Sequence, residues 1–300
     1  MKQEKSNQIN IILNEIDLQE KQNFVSQSQE ISLSFIDKEF SQLIGLYEIK
    51  STLQQIYAMK KMNEKRIKYE LKPSQQVYHM LFTGNPGTGK TTVARKLANI
   101  FLEMNVLKKG HIIEVDRSAL VGEYIGQTAQ KTKNIIKRAL GGVLFIDEAY
   151  SLARGGEKDF GKEAIDTLVK YMEDFSNEFI LILAGYPQEM NYFLQQNPGL
   201  QSRFPFLFHF PNYTDDELIE IAKCFLKESE YKLSLKAEEY LKNHLHEQII
   251  FQNNHFSNGR YVRNILEKAI RNHAMRIIYQ EKEYNRKNLS QIKLTDLHFL

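Results

Sequence analysis

Gly84-Asn85-Pro86-Gly87-Thr88-Gly89-Lys90-Thr91 is the stretch whose reading decides the fold. It fits G-x-x-x-x-G-K-[ST]. The glycines let successive backbone N–H groups turn inward around phosphate oxygens, and the helix that follows offers its N-terminus to the same anion. Lys90 is placed to reach the β- and γ-phosphates of a nucleotide, and Thr91 to offer its hydroxyl to Mg²⁺. The pattern also arises by chance, so its surroundings decide. Upstream, Val77–Phe82 reads as a strand running straight into the glycines. Downstream, Thr91–Asn105 puts Val93, Leu97, Ile100, Phe101 and Met104 on one helical face. Strand, glycine loop and helix in that order is the context the phosphate cradle requires.

Working outward, a helix is predicted over Ile49–Lys65. Short apolar runs recur at Ile112–Val115, Val143–Ile146, Ile180–Leu183 and Phe206–Phe208, and the helical patterns Lys131–Leu140 and Lys162–Asp174 separate most of them. Strands too short for alternation, interleaved with helices, predict a parallel sheet covered on both faces. After Pro211 the strand signal stops, and Asp215–Ser229, Leu235–Glu247, Gly259–Tyr279 and a segment near Thr295 read as helical. The predicted division is a polar N-terminal extension over 1–36, an α/β domain over 37–212 and a small all-helical domain over 213–300. Within the extension, Ile9, Ile12, Leu13 and Ile16 recur at i, i+3, i+4, i+7. That spacing fits a short amphipathic docking helix or a loosely ordered tail equally well.

Composition narrows the classes. A 42% hydrophobic chain of 300 residues supports a sizeable core. Net charge is only +3, with 40 basic residues set against 37 acidic ones, which argues against nucleic acid or an anionic membrane as the main partner. The single cysteine, Cys224, forms no intramolecular disulfide and no cysteine metal site, and its apolar neighbourhood Ile219–Leu226 predicts a buried small side chain. The start, Met1–Lys5, lacks the apolar core of a secretory signal, and no apolar run nears the roughly 18 residues of a membrane span. A soluble, cytoplasmic protein is expected.

A second motif, Val143-Leu144-Phe145-Ile146-Asp147-Glu148, carries two carboxylates out of the end of a buried strand, 57 residues after Lys90. Asp147 fits the residue that holds Mg²⁺. Glu148 fits the base that polarises an attacking water, so hydrolysis is expected as well as binding. Arg203 and Arg260 are cations of the kind phosphoryl transfer uses, although by residue type alone each reads as a solvated surface arginine. Tyr124-Ile125-Gly126 is a glycine-flanked loop in which Tyr124, read alone, packs into the core. Arg154–Asp159 reads as an exposed charged loop.

Together these residues resemble the AAA+ ATPases, and among them the CbxX/CfxQ family, which includes red-type Rubisco activases and a bacterial sporulation protein. The likeness runs from about Leu43 to Ile278. It is dense in Gly84–Thr91, Leu120–Lys133, Gly141–Asp166, Ile182–Tyr186, Asn197–Phe204 and Phe256–Asn264. The resemblance implies a P-loop NTPase domain with a helical lid, binding ATP and Mg²⁺ through Asn85, Pro86, Gly87, Thr88, Gly89, Lys90, Thr91, Thr92 and Asp147. It implies that Leu43, Ile44 and Gly45 line the adenine pocket. Arg203 matches the arginine finger that acts on a neighbouring subunit's ATP, and Arg260 matches the lid's sensor arginine. Tyr124, Ile125 and Gly126 match a pore loop that grips a threaded polypeptide, with Arg154–Asp159 where a second pore loop lies. The strand-end sensor position, usually a small polar residue, is here nearest Tyr186. A hexameric homo-oligomer acting on a protein client is implied, in the sporulation branch rather than as a Rubisco activase. A nucleic-acid motor is the competing class, and the near-neutral charge weighs against it.

Overall fold

A strand buried on both faces has no polar side to present, and Val143–Ile146 and Ile180–Gly185 are buried at every position. The computed structural model describes residues 38–39, 44–74, 76–124, 126–155, 159–252, 256–280 and 284–299. The amphipathic pattern at Ile9–Ile16, together with Leu43 and Ile125, lies outside them. The first helix, α1 (Tyr47–Lys68), precedes β1 (Met80–Gly84), α2 (Lys90–Glu103), β2 (Ile112–Val115), α3 (Arg117–Leu120), α4 (Gln127–Ala139) and β3 (Val143–Ile146). A 3₁₀ turn (Ala149–Ala153) then leads to α5 (Gly161–Asp174), β4 (Ile180–Gly185), α6 (Pro187–Gln196), α7 (Pro198–Gln201) and β5 (Phe206–Phe210). The strands form one sheet in the order β2-β3-β4-β1-β5, every pair parallel.

Alternate residues of the buried strands feed two cores. Met80, Phe82, Phe145 and Ile182 pack with Leu53 of α1 and Leu97 and Phe101 of α2. Leu81, Leu144, Leu181 and Leu183 pack on the other face with Ile136 of α4, Leu168 of α5 and Phe193 of α6. Strands β2 and β3 coincide with the apolar runs. Strand β1 begins three residues later than expected because its first ladder partners are Ile182 and Phe206, opposite Met80. Just before it, the ring of His79 accepts the Leu181 amide at 3.0 Å.

Beyond β5 the chain is helical: α8 (Asp215–Glu228), α9 (Leu235–Gln252), α10 (Asn258–Gln280) and α11 (Arg286–Ser290). Helix α8 opens on a capping box, with the Thr214 hydroxyl accepting the Glu217 amide and the Glu217 carboxylate accepting the Thr214 amide. Strands β6 (Lys232–Leu233) and β7 (Gln291–Ile292) add a parallel ladder that the sequence pattern does not reveal, because two residues are too few for any period. The buried Asp296 receives a two-pronged pair from Arg276 at 2.8 and 2.9 Å, tying the closing 3₁₀ turn to α10. Cys224 corrects its expectation. Leu218, Ala222 and Leu226 take the core face of α8, so helical geometry turns Cys224 outward, where it is exposed. Among the described residues no helix is long and apolar enough to cross a membrane.

His79 is fully buried between Phe179 and Phe204, with ring centroids 5.5 and 6.2 Å away. Burial pushes its imidazole down to about 4. An unfolded histidine takes up its proton near pH 6.5 whereas the folded one stays neutral, so stability falls as pH drops through that window. Wild-type protein should lose about 2 kcal/mol between pH 6.5 and 5 from this group. His79→Asn, which keeps an acceptor for Leu181, should be less stable at pH 7 but flatter with pH. Calorimetric melting across pH 5–7 checks this, and parallel profiles would refute it.

Candidate functional site

Three strand ends carry the chemistry to one edge of the sheet. The glycine loop follows β1, Asp147 and Glu148 follow β3, and Tyr186 follows β4, which lies between them. With strands about 4.8 Å apart, the loop and the acidic pair are separated by about 10 Å. The lid closes the opposite side. Ile44, Pro86, Gly87, Gly89, Lys90, Thr91, Thr92, Asp147, Glu148, Tyr186 and Arg260 all line this cleft of about 520 Å³. Of the other anticipated loop residues, Thr88 is buried and donates its hydroxyl to the Asn85 carbonyl at 2.8 Å, and the Asn85 amide donates to Asn212 at 2.9 Å. Gly45 holds a φ of +73° beside the Glu217 carboxylate.

The loop is shaped for phosphate. Gly87 has φ +70°, and a Cβ there would stand 2.2 Å from the Ser257 carbonyl oxygen. Gly89 has φ +92° and forms the N-cap of α2. Lys90 donates to the carbonyls of Gly84 and Asn85, each at 2.8 Å. Burial pushes its ammonium down to about 8, with Asp147 pulling upward against Arg260. Thr91 and Asp147 also share an adjoining hollow of about 330 Å³. One hydroxyl and one carboxylate beside a phosphate cradle is a donor set that fits Mg²⁺, which keeps waters and phosphates as its other ligands. Among the described residues no group of three or more His, Cys, Asp or Glu side chains is arranged to hold a metal ion.

Glu148 sits in the left-handed region at φ 46°, ψ 44°, where it opens the 3₁₀ turn Ala149–Ala153, and its amide donates to Asp147 Oδ1 at 3.0 Å. Such backbone persists only where its surroundings enforce it. Here β3 is buried on both faces just before it, and Tyr150 is buried just after. Tyr186 caps α6 ahead of Pro187, and burial, then the Glu148 charge, raise its phenol, so it remains an O–H donor. Tyr150 lies 5.8 Å from the Tyr186 ring centroid, under the Arg154 guanidinium at 4.7 Å.

Sequence reasoning found Arg260 but missed the rest of the lid's side of the cleft. Ile221, Cys224, Phe225 and Glu228 recur at i, i+3, i+4, i+7 and form a second face of α8 that lines it, with Tyr213, Val262 and Arg263. The Arg263 guanidinium lies 5.6 Å from the Phe225 ring centroid. The spacing is legible beforehand, but nothing in it says that this stripe faces a cleft.

Other anticipated residues lie elsewhere. Arg203, after α7, donates to the Gly199 carbonyl and to Glu173 on α5, and it is not among the residues lining this chain's cleft. Tyr124 is 67% exposed, which corrects the reading that packs it into the core. Gly126, two residues on, has φ +82° with open space around it. Of Arg154–Asp159, residues 156–158 lie outside the described residues, and Arg154 and Gly155 are exposed as expected, but Asp159 departs from the expectation. Asp159 is largely buried, accepting from Arg117 of α3 and from the Gly161 amide.

Residues 80–212 match the family described as ATPases associated with various cellular activities (AAA), and residues 214–300 match the AAA lid domain. The chain is 58% identical over 266 residues to stage V sporulation protein K of Bacillus subtilis, covering 88% of this chain and 82% of that one. It is 45% identical to the chloroplastic ribulose bisphosphate carboxylase/oxygenase activase of Cyanidioschyzon merolae, covering 84% of each. Protein CbbX of Cereibacter sphaeroides is 43% identical, with 82% of this chain and 78% of that one covered. The fold is shared with the crystal structure of the FIGL-1 AAA domain in complex with ADP, at a TM-score of 0.56 and 18% identity, covering 85% of this chain and 80% of that one. The chain belongs to the AAA ATPases, on the CbxX/CfxQ branch that holds stage V sporulation protein K and the CfxQ and CbbX proteins.

Proposed function

We propose that this protein hydrolyses ATP to ADP and phosphate, works as a hexameric ring on a protein client, and serves a cytoplasmic role in sporulation. The observation that carries the reading is the convergence of Lys90, Thr91, Asp147, Glu148 and Arg260 on one cleft between sheet and lid. Lys90 neutralises the terminal phosphates, and the helix N-terminus behind it adds partial positive charge. Thr91 and Asp147 would hold Mg²⁺, which when bound draws charge from the phosphate oxygens. Glu148 takes the proton of the attacking water as its oxygen joins the γ-phosphorus and the bond to ADP breaks. Tyr186 orients that water from the next strand end.

Arg203 acts on a neighbour's site. Its position beyond α7, away from its own cleft, supports this reading, and its pairing with Glu173 holds it ready. Arg260 at the start of α10 lets the lid follow the phosphates. The exposed Tyr124 with Gly126, and the Arg117–Asp159 pair that anchors the end of the second loop, support two loops that grip a polypeptide. The division into an extension over 1–36, an α/β domain over 37–212 and a lid over 213–300 belongs to this reading. Identity of 58% to a sporulation protein against 45% to a Rubisco activase favours the first setting.

Cys224 is the sole thiol and lines the cleft, so ATP should slow its alkylation by maleimide several-fold in wild type and in Glu148→Gln alike. The variant should lose steady-state hydrolysis by at least about 100-fold. Unprotected Cys224, or full turnover in the variant, would sink the assignment. Because Lys90 titrates near 8 in the free protein and phosphates hold it charged, binding above that pH takes up a proton. ADP affinity should therefore fall about tenfold between pH 7 and 9, with proton uptake seen by titration calorimetry in buffers of differing ionisation heat. Tyr124→Ala should keep its ATPase rate within about twofold and lose client remodelling, so a variant that still remodels would remove Tyr124 from the pore.

A further inference from the structure

Three consecutive carbonyls of the phosphate loop accept hydrogen bonds from the lid and from the segment leading into it. The Pro86 carbonyl takes the Asn258 side-chain amide at 3.3 Å. The Gly87 carbonyl takes the backbone N–H of Gly259 at 3.0 Å, and the Thr88 carbonyl takes the Tyr213 hydroxyl at 3.0 Å. Asn258 and Gly259 open α10, and Tyr213 lies in the connector between β5 and α8. A trans peptide is planar, so a carbonyl held to one side holds the next residue's N–H to the other. These three bonds therefore set the direction of the amides of Gly87, Thr88 and Gly89.

We propose that Asn258 and Tyr213 are positioning residues that hold the loop's carbonyls outward, so that the polyphosphate nest is completed by the lid and not by the glycine motif alone. The inference rests on the reading of the cleft as a nucleotide site and assigns it a device separate from the Arg260 side chain.

The surroundings are built for this. Asn258 is fully buried at φ 47°, a backbone region that asparagine tolerates better than other residues with a Cβ. Its Oδ1 accepts the Tyr213 amide at 3.0 Å, and its two Nδ2 hydrogens are shared among the Pro86 carbonyl, Asn212 Oδ1 at 3.0 Å and the Phe256 carbonyl at 2.9 Å. Asn212 Oδ1 in turn accepts from the Asn85 side chain at 2.9 Å, so the connector grips the loop's second residue too. A buried network whose members are all partnered is costly to break piecemeal. Burial pushes the Tyr213 phenol up to about 12, which keeps it a donor across the working range. Gly87 lets the lid come this close, since any side chain there would meet Ser257 and Arg260. Lid docking and nest geometry are then one two-state element, and by linkage phosphate binding and lid closure favour each other equally.

The test compares ADP with adenosine in the full chain, each measured by competition against a fluorescent ADP analogue. Tyr213→Phe keeps the ring and deletes only the hydroxyl. It should weaken ADP about fivefold and leave adenosine unchanged, the effect of about one hydrogen bond. Asn258→Asp keeps the acceptor for Tyr213 but sets a carboxylate against the Pro86 carbonyl, and it should weaken ADP further at constant adenosine affinity. Should Asn258→Asp not fold, Tyr213→Phe carries the test by itself. A melting curve of each nucleotide-free variant separates loss of folding from loss of the nest. An ADP-to-adenosine ratio equal to wild type in the folded variants, or adenosine falling in step with ADP, overturns the proposal while leaving the ATP site standing. Wild type that fails to bind ADP overturns the site and the proposal together.

Discussion

A backbone nest for phosphate works only if its amides face one way, and a peptide's amide cannot turn without its carbonyl turning too. That single constraint organises much of this molecule. The carbonyls of Pro86, Gly87 and Thr88 need partners on the far side of the loop, and buried carbonyls are seldom left unpaired. The first turn of α10 and the Asn212–Tyr213 connector supply them. The lid thus enters the site as a wall of the cleft and as part of the phosphate loop's own hydrogen bonding.

The sheet serves the same end from beneath. Its order places β4 between the strands that carry the loop and the acidic pair, so Tyr186 emerges between Lys90 and Glu148. Cores on both faces leave the strands little freedom to shift, because sliding one residue would turn every side chain to the opposite face and into the other core's packing. Rigidity there lets the left-handed Glu148 and the buried Lys90, its ammonium pushed down to about 8, persist. Both are costly local states, and both lie where charge is to be handled.

The motifs were legible because each is local. A strand, three glycines, a lysine and the helix that follows them together dictate a cradle by local chemistry, and the apolar run ending in Asp147-Glu148 reads as a buried strand delivering acids. The helices that the sequence pattern predicts lie within about five residues of those observed, while α6 (Pro187–Gln196) was not among them. Cys224 and Tyr124 were misread when taken alone because a neighbourhood of apolar letters does not say which side of a helix or turn faces the core. The ladder between β6 and β7 joins pairs some sixty residues apart, each too short to declare itself.

By itself, the sequence determined the phosphate loop, the acidic pair, the interleaving of strands and helices and the change to helices after Pro211. Each follows from chemistry within one short segment. The tertiary structure alone decided that α8 has a second face turned to the cleft, that Arg203 lies away from its own chain's site, and that Asn258 and Tyr213 hold the loop. All three depend on tertiary packing, the hold on the loop joining residues about 125 to 172 positions apart along the chain, and no local pattern records which distant backbone group a buried side chain will reach.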